Sequence, residues 1–377
     1  MAELALDALI LDPGARFSCT TCGGCCSTPW KVPVSEQERE RIRALDLAGA
    51  GLPEQPFEGS SLRKGPDGGC VLLGEDGLCA LHAAFGEDQK PLVCRRFPYQ
   101  HVASDEQVWV TASFGCKGVR EGGGAPLSSA HAAAVFAKDL GDATPGVGTL
   151  YPVAPGRDVS GAELESLIEG LVEAMGGEDL FHAARVLAGF VGGGGPAAGG
   201  ACEPMQLSGE LRYAFALTLY SDILDQDSAW ERLKGVLRLP RALEFRLRYD
   251  SRLLGRELDM ADIARHPGHL PVESQALLIR WLRSKLRGRV IFRDVPTSAS
   301  GVTRTLLQLD AVLYFSRAIA QDREIVHEDV LEALRLVEVF IAWQQVVNAL
   351  AALDPRLRTF WASPEVARDA ARLFEPA

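Results

Sequence analysis

The stretch C19-T-T-C22-G-G-C25-C26 puts four thiols in eight residues. Cys70, Cys79, Cys94 and Cys116 follow, so eight of the nine cysteines lie in the first 116 residues, and the rest of the 377-residue chain holds only Cys202. Thiols gathered this way need a common purpose. A thiolate is a soft ligand suited to zinc or to iron–sulfur clusters, and either centre takes four of them. Cys19, Cys22 and Cys25 have the C-x-x-C-x-x-C spacing by which three sulfurs of one loop reach a single cluster, with a fourth from elsewhere. Gly23 and Gly24 let the backbone bend toward those sulfurs.

Cys26 adds a constraint. Adjacent side chains of an extended chain point apart, so Cys25 and Cys26 are expected to serve different ions or to bridge two. The candidate metal ligands are therefore Cys19, Cys22, Cys25, Cys26, Cys70, Cys79, Cys94 and Cys116, enough for two four-ligand sites. His82, in C79-A-L-H82, is either a further ligand or a supporting histidine. Cys202 reads as an isolated, non-ligating thiol.

The compartment decides whether such thiols are ligands or disulfides. The opening MAELALDALILDPGARF carries Glu3, Asp7 and Asp12, with no basic residue before Arg16. It is not expected to act as a secretory signal. No stretch approaches the roughly 18 apolar residues of a membrane span. The expectation is a cytoplasmic protein with reduced thiols and no membrane association. A net charge of −11 opposes non-specific nucleic-acid binding. The basic run Arg280, Arg283, Lys285, Arg287, Arg289 and Arg293 is read as a solvated helix face.

Three segments follow from composition and periodicity. Residues 1–121 form the cysteine-rich metal domain, with brief strands at Cys70–Leu73 and Gln107–Ala112. A short helix is capped there by Ser35 with Glu38. The Gly run at 122–124 marks its end. Residues 127–191 are helical: Ser160 caps a stripe of Leu164, Leu167, Ile168, Leu171, Val172 and Met175, Gly176-Gly177 stops it, and Leu180–Val191 is a second helix. Residues 192–200 are a Gly-rich linker. Residues 201–377 are helical again, with apolar faces at Leu207–Leu219, Leu306–Leu313 and Val330–Leu350. The fold class is α+β, mostly α: a small irregular cysteine-rich metal domain followed by a helical bundle region.

The blocks C19-T-T-C22-G-G-C25-C26, G69-C70-V-L-L, G77-L-C79-A-L-H82 and K90-P-L-V-C94-R95-R96-F97-P98-Y99 occur in the order seen in the YkgJ family. The chain resembles that family over about residues 17–118. Its members are cysteine-cluster proteins described as zinc- or iron-chelating domains with a CxxCxxCC motif. The resemblance implies metal chelation by the cysteines and no defined reaction. The flagellin lysine-N-methylases are similar in placing a cysteine cluster before a helical region, and imply S-adenosylmethionine as a methyl donor if that activity is shared.

Arg95 and Arg96 beside Cys94 would offset the charge of a thiolate-ligated cluster, or pair with Glu87 or Asp88. The nearest Gly-rich candidate for a nucleotide-type turn, G141-D-A-T-P-G146-V-G148, carries Pro145 and lacks a convincing preceding strand. It reads as a loop. No HExxH, P-loop or GxSxG motif is present, and Cys94 with His101 is a poor nucleophile–base pair. Catalytic residues remain unknown from sequence. The expectation is a metal-binding protein with an iron–sulfur (4Fe–4S) or zinc centre, the ferredoxin-like spacing favouring a redox-active one. The alternatives are a protein-lysine methylase and a zinc-stapled interaction module, each with a protein partner or substrate of unknown identity.

Overall fold

The computed structural model describes residues 9–28, 30–66, 68–103, 107–136, 150–154, 157–177, 179–191, 248–251, 253–293 and 298–340. Cys202, the linker at 192–200, the face at Leu207–Leu219 and the C-terminal part of the Val330–Leu350 stripe lie outside them. The described residues are 48% helical and 17% strand in small sheets, which makes the protein α+β and mostly α. The chain divides into two units, residues 1–144 and 145–377.

The first unit is built from short pieces. Strand β1 (Leu9–Leu11) runs parallel to β6 (Val108–Ala112), and β5 (Tyr99–Ala103) runs antiparallel to β6 on its other side. The sequence V-W-V-T-A suits this central position, because all five residues are buried and β-branched and aromatic side chains pack well on a pleated surface. Helix α5 (Ser129–Phe136) lays Ala132, Val135 and Phe136 over Val108, Val110 and Ala103. Past the Gly run at 122–124 the chain stays in this unit: β7 (Ala125–Pro126) pairs with β2 (Arg16–Phe17). Glycine is required at Gly124, where φ is +94° and a Cβ would meet the backbone of Phe17 and Ser18.

A second small core gathers Val34, Ile42, Leu47, Leu62, Cys70, Leu72 and Leu81. Helix α1 (Glu36–Arg43) supplies Ile42. It starts as the sequence predicts, with the Ser35 hydroxyl taking the Glu38 N–H and the Glu38 carboxylate taking the Ser35 N–H at 2.9 Å. The strand expected at Cys70–Leu73 does not form. The Leu73 N–H turns back to the Cys70 carbonyl at 3.0 Å, and only the two ends bridge, Cys70 to Lys64 and Leu73 to Cys79. An apolar C-V-L-L run satisfies a buried turn as well as a strand.

In the second unit, a hairpin of β8 (Leu150–Ala154) and β9 (Arg157–Ser160) leads into α6 (Gly161–Ala174). Helix α6 carries the predicted Ser160–Glu163 capping box and ends at Gly176, where φ is +59°. Helix α7 (Leu180–Val191) has the predicted limits. A second hairpin, β10 (Arg248–Ser251) with β11 (Arg256–Asp259), precedes α8 (Met260–Arg265), α9 (Val272–Arg287), α10 (Ser298–Ala320) and α11 (His327–Phe340). Helix α10 is buried on nearly every side and packs against α7, α8 and α11. Leu306, Leu309, Val312 and Leu313 are in its core, as are Val330, Leu334 and Val337 of α11.

The basic run on and after α9 is not a solvated face. Arg283 donates to the carbonyls of Val172 and Gly176 at the end of α6, and Arg287 grips Glu169 through two bonds of 2.9 and 2.7 Å. Arg289, 1% exposed, pairs with Glu165. These cations fasten α9 to α6, where carbonyl ends and acidic residues attract them. Lys285 is sunk beside Trp281 and bonded to Glu338 of α11 at 2.6 Å, and the Trp281 Nε1–H donates to the same carboxylate at 3.0 Å. Removing only the acid leaves a buried ammonium without its counter-charge. Glu338→Ala is expected to cost about 3–5 kcal/mol. Denaturant unfolding of the full chain measures this, with Lys285→Met as the milder comparison.

A candidate metal centre in the first unit

Five segments bring the eight thiols to the first unit, and all eight are free. In the first segment, Thr21 and Gly23 adopt left-handed backbone (φ +51° and +65°), and the Gly23 carbonyl accepts the N–H groups of Cys26 (2.9 Å) and Ser27 (3.1 Å). Residues 23–27 are thus a tight turn, not an extended strand. The expectation that Cys25 and Cys26 point apart assumes an extended chain and does not apply on this turn, where successive side chains diverge by far less than on a strand.

The remaining segments are tied to this turn one by one. The Cys70 N–H donates to the Cys26 carbonyl at 2.9 Å, and Lys64 donates to the carbonyls of Cys26 (3.3 Å) and Thr28 (2.7 Å). The turn before Cys79 rests on Thr21 through Gly77, where φ is +77° and a Cβ would overlap the Thr21 carbonyl oxygen. Cys94 sits in α3 (Leu92–Arg96), whose first N–H, from Leu92, goes to the Glu38 carboxylate of α1 at 2.7 Å. Arg41 holds the Lys90 carbonyl at 3.3 Å. Cys116 leads α4 (Lys117–Arg120), and Gly118 in it lies so close to the Ser18 carbonyl that a side chain would not fit.

The sulfurs are not equally placed. Cys70 belongs to the buried core, and Cys26, Cys79 and Cys94 pack against it. Cys19, Cys22 and Cys25 are exposed, and Cys116 is half-buried. His82 is exposed, with its backbone N–H, not its ring, facing the Cys79 sulfur. His101 lies beside Phe136, with ring centroids 4.6 Å apart. As they stand, no three His, Cys, Asp or Glu side chains among the described residues converge tightly enough to enclose an ion.

Residues 18–116 match the family model described as "CxxCxxCC: Putative zinc- or iron-chelating domain". Residues 18–116 are a domain of the CxxCxxCC family. The chain is also 28% identical over 123 residues to "Uncharacterized protein MJ0939" of Methanocaldococcus jannaschii, an alignment covering 32% of this chain and 42% of that protein. The chain thus spans less than half the length of that curated relative. No solved structure matches it.

The electrostatics of the CxxCxxCC domain follow from sulfurs crowding one another. Hydrogen bonding from Cys26 lowers both Cys25 and Cys70 to about 6, and Cys26, placed between them, is pushed strongly up. Burial first, then the charges of Cys70 and Cys79, pushes Cys94 up to about 12. Burial also raises Cys79 and Cys116, against backbone N–H groups of the helices each begins: His82 and Leu81 for the first, Val119 and Gly118 for the second. A cation near these sulfurs would relieve their mutual repulsion.

The cations that act on them are Lys90, on Cys25, Cys79 and Cys94, and Lys64, on Cys70. Sequence reading had singled out the arginines instead. Arg95 pairs with Asp88 at 3.8 Å, and Arg96 lies 5.6 Å from the Phe136 ring centroid. Lys90 stands in the K90-P-L-V-C94 block itself, so its position four residues before a candidate ligand was the available signal. All-thiol donors, backbone N–H groups aimed at sulfur and two nearby lysines fit a zinc or iron centre.

Proposed function

We propose that the CxxCxxCC domain holds its metal as a thiolate-ligated iron–sulfur centre that is redox-active, with ligands drawn from Cys19, Cys22, Cys25, Cys26, Cys70, Cys79, Cys94 and Cys116. The observation that carries the reading is the gathering of eight free thiols in one unit, with Cys26, Cys79 and Cys94 packed against the core that contains Cys70. Two features support iron over zinc. The C-x-x-C-x-x-C spacing suits a cubane, and lysines beside cluster sulfurs raise a reduction potential by offsetting negative charge. The residues would supply thiolates and a positive local field; the iron would supply one-electron chemistry. No helix among the described residues is long and apolar enough to cross a membrane. A reducing, cytoplasmic setting belongs to the same proposal, since free thiols persist there. The methylase alternative has no described residue in its favour.

Anaerobic purification with elemental analysis and an absorption spectrum of the same sample tests this. Iron with matching sulfide and a broad band near ~400 nm is the expected result; a colourless zinc protein would make the centre structural. Cys94→Ser is expected to lower bound metal and Cys202→Ser to leave it unchanged. Full loading of the Cys94 variant would remove that residue from the ligand set.

A further inference from the structure

We infer that Lys64 is a positioning residue of the metal site: its ammonium clamps the C-x-x-C-x-x-C-C turn onto the segment that presents Cys70 and supplies a counter-charge to the thiolates there. The inference rests on the chelation reading above and adds how two of the five segments are held in register.

The argument starts from the hairpin of residues 63–71. The Gly65 N–H meets the Gly69 carbonyl at 2.7 Å and the Val71 N–H meets the Arg63 carbonyl at 3.2 Å, on either side of the antiparallel bridge between Lys64 and Cys70. Lys64 and Cys70 are therefore opposed without bonding to each other, and their side chains share one face with Cβ atoms about 4.5–5.5 Å apart. This pattern leaves the Cys70 N–H over, and it goes to the Cys26 carbonyl at 2.9 Å. Lys64 donates to the same carbonyl at 3.3 Å and to the Thr28 carbonyl at 2.7 Å. One hairpin position thus delivers a thiol to the turn, and the position facing it delivers the clamp.

Other bonds at the turn stay within it: the Ser27 hydroxyl donates to the Gly23 carbonyl and the Thr28 hydroxyl to the Cys25 carbonyl, both at 3.2 Å. The Lys64 bonds join it to the hairpin instead. Lys64 is half-buried, and no carboxylate among the described residues pairs with it. A charge drawn out of water needs an opposite one nearby, and the sulfur across the hairpin provides it once ionised. Arg63 stands on the other face of the same hairpin and donates to the Gln55 carbonyl at 3.0 Å, so it is a matched cation without this role.

The test loads the anaerobically purified full chain with cobalt(II), whose sulfur-to-metal charge-transfer absorption grows with the number of thiolates bound. Lys64→Met is expected to weaken cobalt binding, in competition with a chelator, by about 10–100-fold, the range for groups that orient metal ligands. Absorption per bound cobalt should fall as well, because Cys70 is no longer presented. Lys64→Arg, which keeps the charge and the donors, is expected to retain most of both, and Arg63→Met to change neither. Wild-type affinity in Lys64→Met, or weaker binding with unchanged absorption per cobalt, would overturn the positioning role and leave chelation intact. An equal loss in Lys64→Arg or in Arg63→Met would overturn it too, since the hairpin and not the ammonium would then be responsible. A wild-type chain that binds no cobalt would overturn chelation and the role of Lys64 with it.

Discussion

Removing bound metal is expected to strip amide protection from residues 18–120 while α9, α10 and α11 keep theirs. The first unit has few means of holding itself together. Among the described residues its strands at Arg16–Phe17, Phe57–Glu58 and Ser61–Leu62 are two residues long, and its helices run from four to eight residues. Isolated helices of that length are marginal in water. The core around Leu72 and Leu81 is completed by sulfurs: Cys70 is in it and three more cysteines pack on it. Metal binding to such a site is folding free energy, on the order of 10 kcal/mol where a small domain depends on it. By contrast α10 alone spans 23 residues and is surrounded by buried Leu, Val and aromatic side chains. Hydrogen exchange with and without chelator reads both units in one experiment. Unchanged protection over residues 18–120 after complete metal removal would mean that the apolar core suffices.

Gly77→Ala is expected to be the most damaging small substitution in the domain. It asks a non-glycine residue to adopt φ +77° and places a methyl group on the Thr21 carbonyl oxygen. Left-handed backbone costs about 1–2 kcal/mol, and the overlap, which meets backbone and not a movable side chain, adds about 1–3 more. The displaced element is the turn that presents Cys79, so bound metal should fall together with stability. Gly59→Ala separates the two causes: φ there is +58° with nothing near the added carbon, so only the conformational cost of about 1 kcal/mol applies. Equal losses at the two positions, by denaturant unfolding of metal-loaded protein, would show that the Thr21 contact has no weight.

Local rules were legible in the sequence where one element carries its own signal. The Ser35–Glu38 and Ser160–Glu163 boxes, the limits of Leu180–Val191 and the buried strand V-W-V-T-A each follow from residues within a few positions of one another. The cysteine positions marked the unit where the thiols gather, since eight of the nine fall in the first 116 residues. Sequence periodicity was silent on what depends on meeting across the chain. It did not show that a turn at Gly23 brings Cys25 and Cys26 together, or that Lys64 and Lys90 act on the sulfurs. The basic run failed differently: charge spacing on α9 gives a face, but only the position of α6 decides whether that face meets water or Glu165 and Glu169.

The carboxylate of Glu38 serves two helices at once, closing the first turn of α1 and taking the first N–H of the Cys94 helix. The chain between them is therefore a loop fastened at its base. The turn around Gly59 in that loop has its own ties, the Gly59 carbonyl to Arg39 and the Ser60 carbonyl to the Val34 N–H, so length added there costs those two bonds and not the Cys94 anchor. A residue inserted between Ser35 and Glu38 would be different: it would break the cap and release Cys94 in the same step. The place where this domain tolerates growth and the place where it tolerates none are thus set by one side chain.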